Sequence, residues 1–211
     1  MFIYNEKCVV NKYFRLQELF KAIKADKTIK DSAKNIISIK LSYVISPSKL
    51  NLEPSKAVKE IYVIDVIVDS KQLQMSFIEA LNKFIELQTL FKIRYKNEVK
   101  YILSIKDFRE DKMKIIKRFE SDWIAPLELD FPITTKLENV FKEIIKNITN
   151  YDFRQEESFE SYSKRIDDIH KLKSEIEKQI KTMNNEKQPN LRMALNDKIK
   201  QMKKQLQELE A

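Results

Sequence analysis

Two periods of apolar spacing organise this chain. The densest apolar run is Lys59 to Asp69, where Ile61, Tyr62, Val63, Ile64, Val66, Ile67 and Val68 fall on both parities. β-Branched and aromatic residues in an unbroken run predict a strand, and apolar side chains on both parities predict a central strand covered on both faces. Asp65 sits in the middle of that run. Ile36 to Ile45 alternates, with Ile37, Ile39, Leu41 and Tyr43 opposite Ser38, Lys40 and Ser42, and predicts a second strand. Ser46-Pro47 ends it, and the loop to Pro54 is long enough to carry a function.

Leu90 to Lys106 predicts a β-hairpin. A two-residue turn at Asn97-Glu98 pairs Lys96 with Val99 and sets Phe91, Ile93 and Tyr95 beside Lys100 and Ser104. A three-residue loop, Lys96 to Glu98, pairs Tyr95 with Val99 and gathers Phe91, Ile93, Tyr95, Val99, Tyr101, Leu103 and Ile105 on one face. The second register buries more apolar surface and is preferred; it leaves Lys92, Arg94, Lys100 and Lys106 together on the other face.

Helical spacing marks Asn11 to Ala25 (Phe14, Leu19, Phe20, Ile23), a short piece at Asp31 to Asn35, and Lys71 to Gln88 with a full apolar stripe from Leu73 to Ile85. Met113, Ile116, Phe119 and Trp123 predict a helix over Glu110 to Trp123, with Lys112, Lys114, Lys117 and Arg118 as a basic side. Leu127, Leu129 and Phe131 alternate like a short strand. A capping-box spacing at Thr135 to Glu138 opens a helix through Leu137, Val140, Phe141, Ile144, Ile145 and Ile148. Beyond residue 153 the apolar positions thin to narrow seams: Phe159, Tyr162, Ile166, Ile169, Ile176, Ile180 and Met183, then Leu195, Ile199, Met202, Leu206 and Leu209. These predict two helices joined by a turn containing Pro189, in an antiparallel, coiled-coil-like helical hairpin. The expected architecture is an α+β domain over residues 1–153, with a mixed sheet of four or five strands, followed by the helical hairpin over residues 154–211.

Composition narrows the chemistry. The chain has 211 residues, enough for one real core, and contains no glycine. Without glycine there is no phosphate-cradling loop, dinucleotide fingerprint or glycine-flanked nucleophile elbow. Asn51, Asn97, Asn184 and Asn190 are the expected left-handed turn positions. One cysteine, Cys8, and one histidine, His170, exclude a disulfide framework, cysteine-rich zinc sites and two-histidine metal motifs. No cofactor and no metal are expected. With no apolar run long enough to span a bilayer and no leader at the N-terminus, the expectation is a cytoplasmic protein. The net charge of +8 points to an anionic partner or to a solvated basic surface.

Two sites compete. Asp65 with Glu98-Val99-Lys100 has the residue types of a restriction-type metal-dependent nuclease, in which carboxylates hold a divalent cation and a lysine positions water. Against it, a whole helix separates Asp65 from the triplet, and Glu98 falls at the turn tip. The stripe of Lys92, Arg94, Lys100 and Lys106 has the character of a ribbon lying along a nucleic-acid backbone, and is the preferred candidate. His170 reads as a seam-edge or surface residue, and Lys173 as a register-setting or snorkelling one.

Several stretches together resemble DUF4391, a bacterial family of unknown function. They are ISIKLSYVISPSKLNL from Ile37, the KEIYVIDVIV strand, the helix and hairpin to LFKIRYK, the SDW around Trp123, and NEKQPNLRMALNDKIK near the C-terminus. The resemblance covers nearly the whole chain and supplies no catalytic residues. What it implies is context: such proteins accompany helicases and DNA methyltransferases in restriction-like or mobile-element loci. The expected function is therefore a non-enzymatic accessory protein in DNA or phage defence. It would bind nucleic acid or a nucleic-acid-processing partner, with assembly into a homo-oligomer through the C-terminal helices as a further reading.

Overall fold

Strands in this protein pair in the order in which the chain makes them. In the computed structural model, residues 5–53, 55–109, 112–127 and 131–211 are described. The chain divides into two units, residues 1–150 and 151–211.

The first unit is built on a mixed sheet of six strands among the described residues: β1 (Val9–Phe14), β2 (Ile36–Ile45), β3 (Ile61–Val68), β4 (Gln88–Tyr95), β5 (Glu98–Arg109) and β6 (Lys112–Glu120). Neighbouring strands are antiparallel except β3 and β4, which run parallel. Between those two lies α4 (Ser76–Phe84), the crossover that a parallel pair requires. The class is α+β as expected, but the strand count exceeds four or five because two segments read as helices are strands.

Both are edge strands. The stretch expected as a helix from Asn11 is β1 as far as Phe14, and α1 (Leu16–Ala22) starts only after it. Asn11 takes a left-handed φ of 53° inside an irregularity of the β1–β2 ladder instead of capping a helix. Likewise, described residues of the segment expected as a helix up to Trp123 form β6, with an irregularity in its pairing to β5 beside Ile116. An edge strand is paired on one side and largely solvated, so its apolar pattern need not alternate, and a bulge shifts what alternation there is. Leu129 and Glu110 lie outside the described residues, and neither Leu127 nor Phe131 belongs to a strand.

Inner elements follow the pattern more closely. β2 has the expected bounds, and β3 lies in the interior of the sheet. α2 (Lys27–Ser32) is earlier than expected because Asp26 caps it, accepting from the Ile29 N–H at 2.8 Å. In the loop to Pro54, α3 (Pro47–Leu50) makes one turn and ends at Asn51, which takes the expected left-handed conformation at φ 52°. The hairpin's left-handed residue is Lys96, not Asn97. α5 (Leu137–Thr149) begins after Lys136 without a side-chain cap, so the capping box does not form, yet its six predicted apolar residues are all buried.

Both faces of the sheet are covered over much of their area. On one, Phe20, Phe77, Ile78 and Leu81 from α1 and α4 cluster with Ile39, Ile64, Val66, Phe91, Ile93 and Ile102. The Phe20 and Phe77 rings meet edge to face, 5.6 Å apart. On the other face Ile61, Val63, Leu90, Val99, Tyr101 and Leu103 are buried as well. α5 packs against β6.

The second unit contains α6 (Phe159–Asn185) and α7 (Pro189–Glu210). Ile176, Ile199 and Met202 form a small shared core flanked by Leu172, Ile180, Met183 and Leu206. A buried arginine closes this unit. Arg165 donates to both Glu157 carboxylate oxygens, at 2.8 and 2.7 Å, and to the carbonyls of Asp152 at 2.6 Å and Leu209 at 3.1 Å. Arg154 donates to the Glu208 and Leu209 carbonyls at 2.6 and 3.2 Å. The last carbonyls of a helix lack partners within it and carry the negative end of its dipole, so two guanidinium groups there hold the end of α7. Lys173 reaches Glu210 at 2.7 Å and the Tyr151 hydroxyl at 2.8 Å, which is where its seam position leads.

Removing Arg165 leaves a buried carboxylate and open carbonyls. Arg165→Met is expected to lower stability by about 3–5 kcal/mol, measured by urea unfolding followed by circular dichroism. Burial raises the Glu157 carboxyl, but the hydrogen bonds from Arg165 and Arg154 outweigh it and hold the group below its ordinary value. That contribution is present above the usual carboxylate range and is lost as pH falls through the depressed value. The difference between wild type and Arg165→Met should therefore shrink in acid.

Candidate functional site

The hairpin register decides where the predicted basic residues go. Tyr95 pairs with Glu98, Ile93 with Lys100 and Phe91 with Ile102, around a turn at Lys96-Asn97. Neither predicted register is adopted. The preference for the second rested on gathering apolar residues onto one dry face, and that reason fails because both faces of β4 and β5 are covered. Lys92 and Arg94 lie on the face shared with Val99 and Tyr101; Lys100 and Lys106 lie on the opposite face. The four do not form a ribbon.

Their environments differ as well. Lys92 and Lys106 are buried, at 0% and 2% exposure, while the side chains of Arg94 and Lys100 are about a third and a quarter exposed, at 32% and 24%. Lys100 pairs with Glu120 at 2.8 Å. Lys106 has a structural post: its ammonium donates to the carbonyls of Ile85 at 2.6 Å and Leu87 at 2.8 Å, and to the Thr89 hydroxyl at 3.4 Å. It thereby ties the end of α4 to the start of β4. Burial pushes its pKa down to about 7.

Glu98 shares the face of Lys100, opposite Asp65, and pairs with Lys71 at 2.5 Å. Asp65, Glu98 and Lys100 therefore do not converge, and the nuclease arrangement is not formed. Among the described residues, no three His, Cys, Asp or Glu side chains group to hold a metal ion. Cys8 is buried, with its thiol pushed up by burial; His170 is exposed on α6, as expected.

Residues far apart in sequence do converge on Asp65. The strand register sets Tyr13, Lys40, Asp65, Lys92 and Tyr101 side by side across β1 to β5 on one face: aromatic, cation, anion, cation, aromatic. One Asp65 oxygen lies 3.4 Å from the Lys92 ammonium and 3.4 Å from the Arg94 Nε, and the Ser42 hydroxyl donates to the other. Ser42 reaches it because the β2–β3 register slips between Leu41 and Tyr43. That slip also brings Tyr43, expected with Ile39, onto the charged face, where its ring lies 6.0 Å from the Lys92 ammonium. Lys40 is held at its outer end by Asn11 Oδ1, 3.3 Å away, and lies 5.6 Å from the centre of the Tyr13 ring.

Burial dominates the electrostatics of the row. Desolvation lowers the Lys92 pKa; Asp65 opposes this, and Arg94 and Lys40 add to it. The Tyr43 and Tyr101 hydroxyls are raised, first by burial. Tyr101 also accepts the Leu127 N–H at 3.1 Å. Two cations share the one carboxylate and Lys40 is its neighbour in register, so this part of the face has an excess of positive charge. The basic stripe was legible in the sequence only in part: Lys92 and Arg94 are in the site and Lys100 and Lys106 are not, and Lys40, Ser42 and Tyr13 were missed because their pairing is long-range.

The family model for DUF4391, a domain of unknown function, matches residues 4–206, and the chain belongs to that family. No curated protein and no solved structure matches it.

Two predictions follow from the buried charges. Asp65→Ala leaves two buried or half-buried cations facing each other and is expected to cost about 3–5 kcal/mol in urea unfolding. In Asp65→Ala/Lys92→Met much of that loss should return, and the double-mutant cycle should report coupling of about 1 kcal/mol or more. Lys106 titrates near 7 when folded but near the ordinary lysine value of about 10.4 when unfolded. The unfolded chain then binds the extra proton between those limits, so this group's contribution to stability rises with pH from about 7 to about 10. Unfolding free energies of wild type and Lys106→Met across that window should show a steeper rise for wild type.

Proposed function

We propose that this protein is a non-enzymatic accessory protein that binds nucleic acid through the charged face of its sheet, alone or together with a nucleic-acid-processing partner. One observation carries this reading: Lys92 and Arg94 share a single carboxylate, with Lys40 beside it in register, on a face that stays partly open at Arg94, Lys40 and Tyr13. An anion there relieves the mutual repulsion of the cations. Asp65 is the internal counter-ion that lets Lys92 and Arg94 fold into the sheet, while the outer part of the Arg94 guanidinium remains available to a phosphate. The net charge of +8 supports the same partner class.

The C-terminal helices belong to the partner side of the proposal. We take α6 and α7 to be a coiled-coil-like antiparallel hairpin, supported by their short connection and the shared core of Ile176, Ile199 and Met202. Leu191 and Met193 are exposed near the start of α7, and are the apolar residues that a protein partner, or a second copy of the chain, would cover. Helicases and DNA methyltransferases are the partners proposed, in the defence context that the family resemblance implied.

Fluorescence anisotropy with labelled nucleic acid across a salt series tests the reading. Affinity should fall linearly on a log–log plot, and Arg94→Ala and Lys40→Ala should each reduce the slope by about 1. Lys34→Ala, at an exposed position on another surface, should leave the slope unchanged. Absence of binding, or binding that ignores salt, overturns the proposal.

A further inference from the structure

The open part of the charged face carries exposed apolar and aromatic groups among its cations. Tyr13 is 67% exposed on the edge strand β1 and shares the face of Lys40. Val9 and Ile67 lie on the same face, at 42% and 41% exposure. An exposed tyrosine on an edge strand, paired on one side only, is not there to fill a core. The ladder to β2 sets it beside Lys40, whose ammonium lies 5.6 Å from the centre of its ring. β1 to β4 covers three inter-strand spacings, about 14 Å, so Tyr13 at one end and Arg94 at the other span more than one nucleotide of an extended strand.

Resting on the nucleic-acid reading above, we infer that this face takes single-stranded nucleic acid, with a base laid on the Tyr13 ring and the backbone running past Lys40 towards Arg94. The chemistry distinguishes single from double strands. In a duplex each base is stacked on its neighbours and only its edge is offered in a groove, so an aromatic ring standing on a flat sheet finds nothing to stack on. A single strand offers free base faces, and sheets that bind one combine cations for the backbone with aromatic platforms for the bases. Val9 and Ile67 extend the apolar platform on either side of Lys40 and Asp65. Recognition of this kind is tolerant of sequence, since every base has a stacking face, and no fixed donor array reads base edges among these residues.

The test compares labelled oligothymidylate with a duplex of the same length at one salt concentration, for wild type, Tyr13→Ala and Tyr13→Phe. Because Tyr13 is exposed, both variants should keep the wild-type circular dichroism spectrum and unfolding midpoint. The inference expects wild type to prefer the single strand about tenfold or more. Tyr13→Ala should weaken single-strand binding by about fivefold to about a hundredfold, the worth of one stacked base, while Tyr13→Phe retains it. Equal or tighter binding of the duplex overturns the inference and leaves the nucleic-acid reading standing. So does salt-dependent binding that Tyr13→Ala does not change. Failure to bind either probe removes both.

Discussion

A carboxylate in the middle of a buried strand is tolerated only when the strands on either side bring it partners. Asp65 is flanked in register by Lys40 on β2 and Lys92 on β4, with Arg94 one pleat further along. Each of these groups would be expensive to bury alone. Together they bind three strands through side chains as well as backbone. The parallel β3–β4 pair depends on this most, since its members are joined only through a crossover helix. The register is also specified by it: a slip of one residue along β4 would set Lys92 among the apolar residues of the other face and bring Phe91 or Ile93 against Asp65.

What could be read from the sequence follows from how many neighbours each element has. β3 was legible because a strand covered on both faces must be apolar on both parities. α4 and α5 were legible because one face of each is buried, although α4 is shorter than its stripe. β1 and β6 were not, because an edge strand answers to one neighbour and to solvent. Their bulges, at Asn11 and beside Ile116, turned a period of two into spacings that mimic a helix. The β4–β5 register was missed for a related reason. Burial on one face is a sound criterion for a half-exposed hairpin, and it loses its force where Phe91 and Tyr101 are both buried on opposite faces. The candidate site was only half visible, since Lys92 and Arg94 could be seen as cations but not as the partners of Asp65.

The absence of glycine leaves its own mark. Left-handed backbone is taken by Asn11, Asn51 and Asn150, but also by Lys24, Lys96 and Glu156. Asparagine tolerates that region better than most residues, whereas lysine and glutamate adopt it at a cost that the surrounding structure must offset. At Lys96 the constraint is the hairpin itself, where a two-residue turn needs positive φ to match the twist of its strands. At Lys96 the charged side chain keeps the turn solvated while the strands on either side enforce the geometry.

Strand order along the sheet equals strand order along the chain, from β1 to β6. During synthesis each strand therefore meets a neighbour that has already emerged, and no strand waits for a distant partner from the C-terminal part of the sheet. A pause falls at β3, whose next neighbour arrives only after α4 has been made. In that interval β3 is an uncovered edge with apolar residues on both faces, the kind of segment that sticks to other chains. Asp65 sits at its centre during that pause, a polar side chain in the middle of an otherwise adhesive strand, so the residue that later organises the sheet also interrupts the segment most prone to self-association.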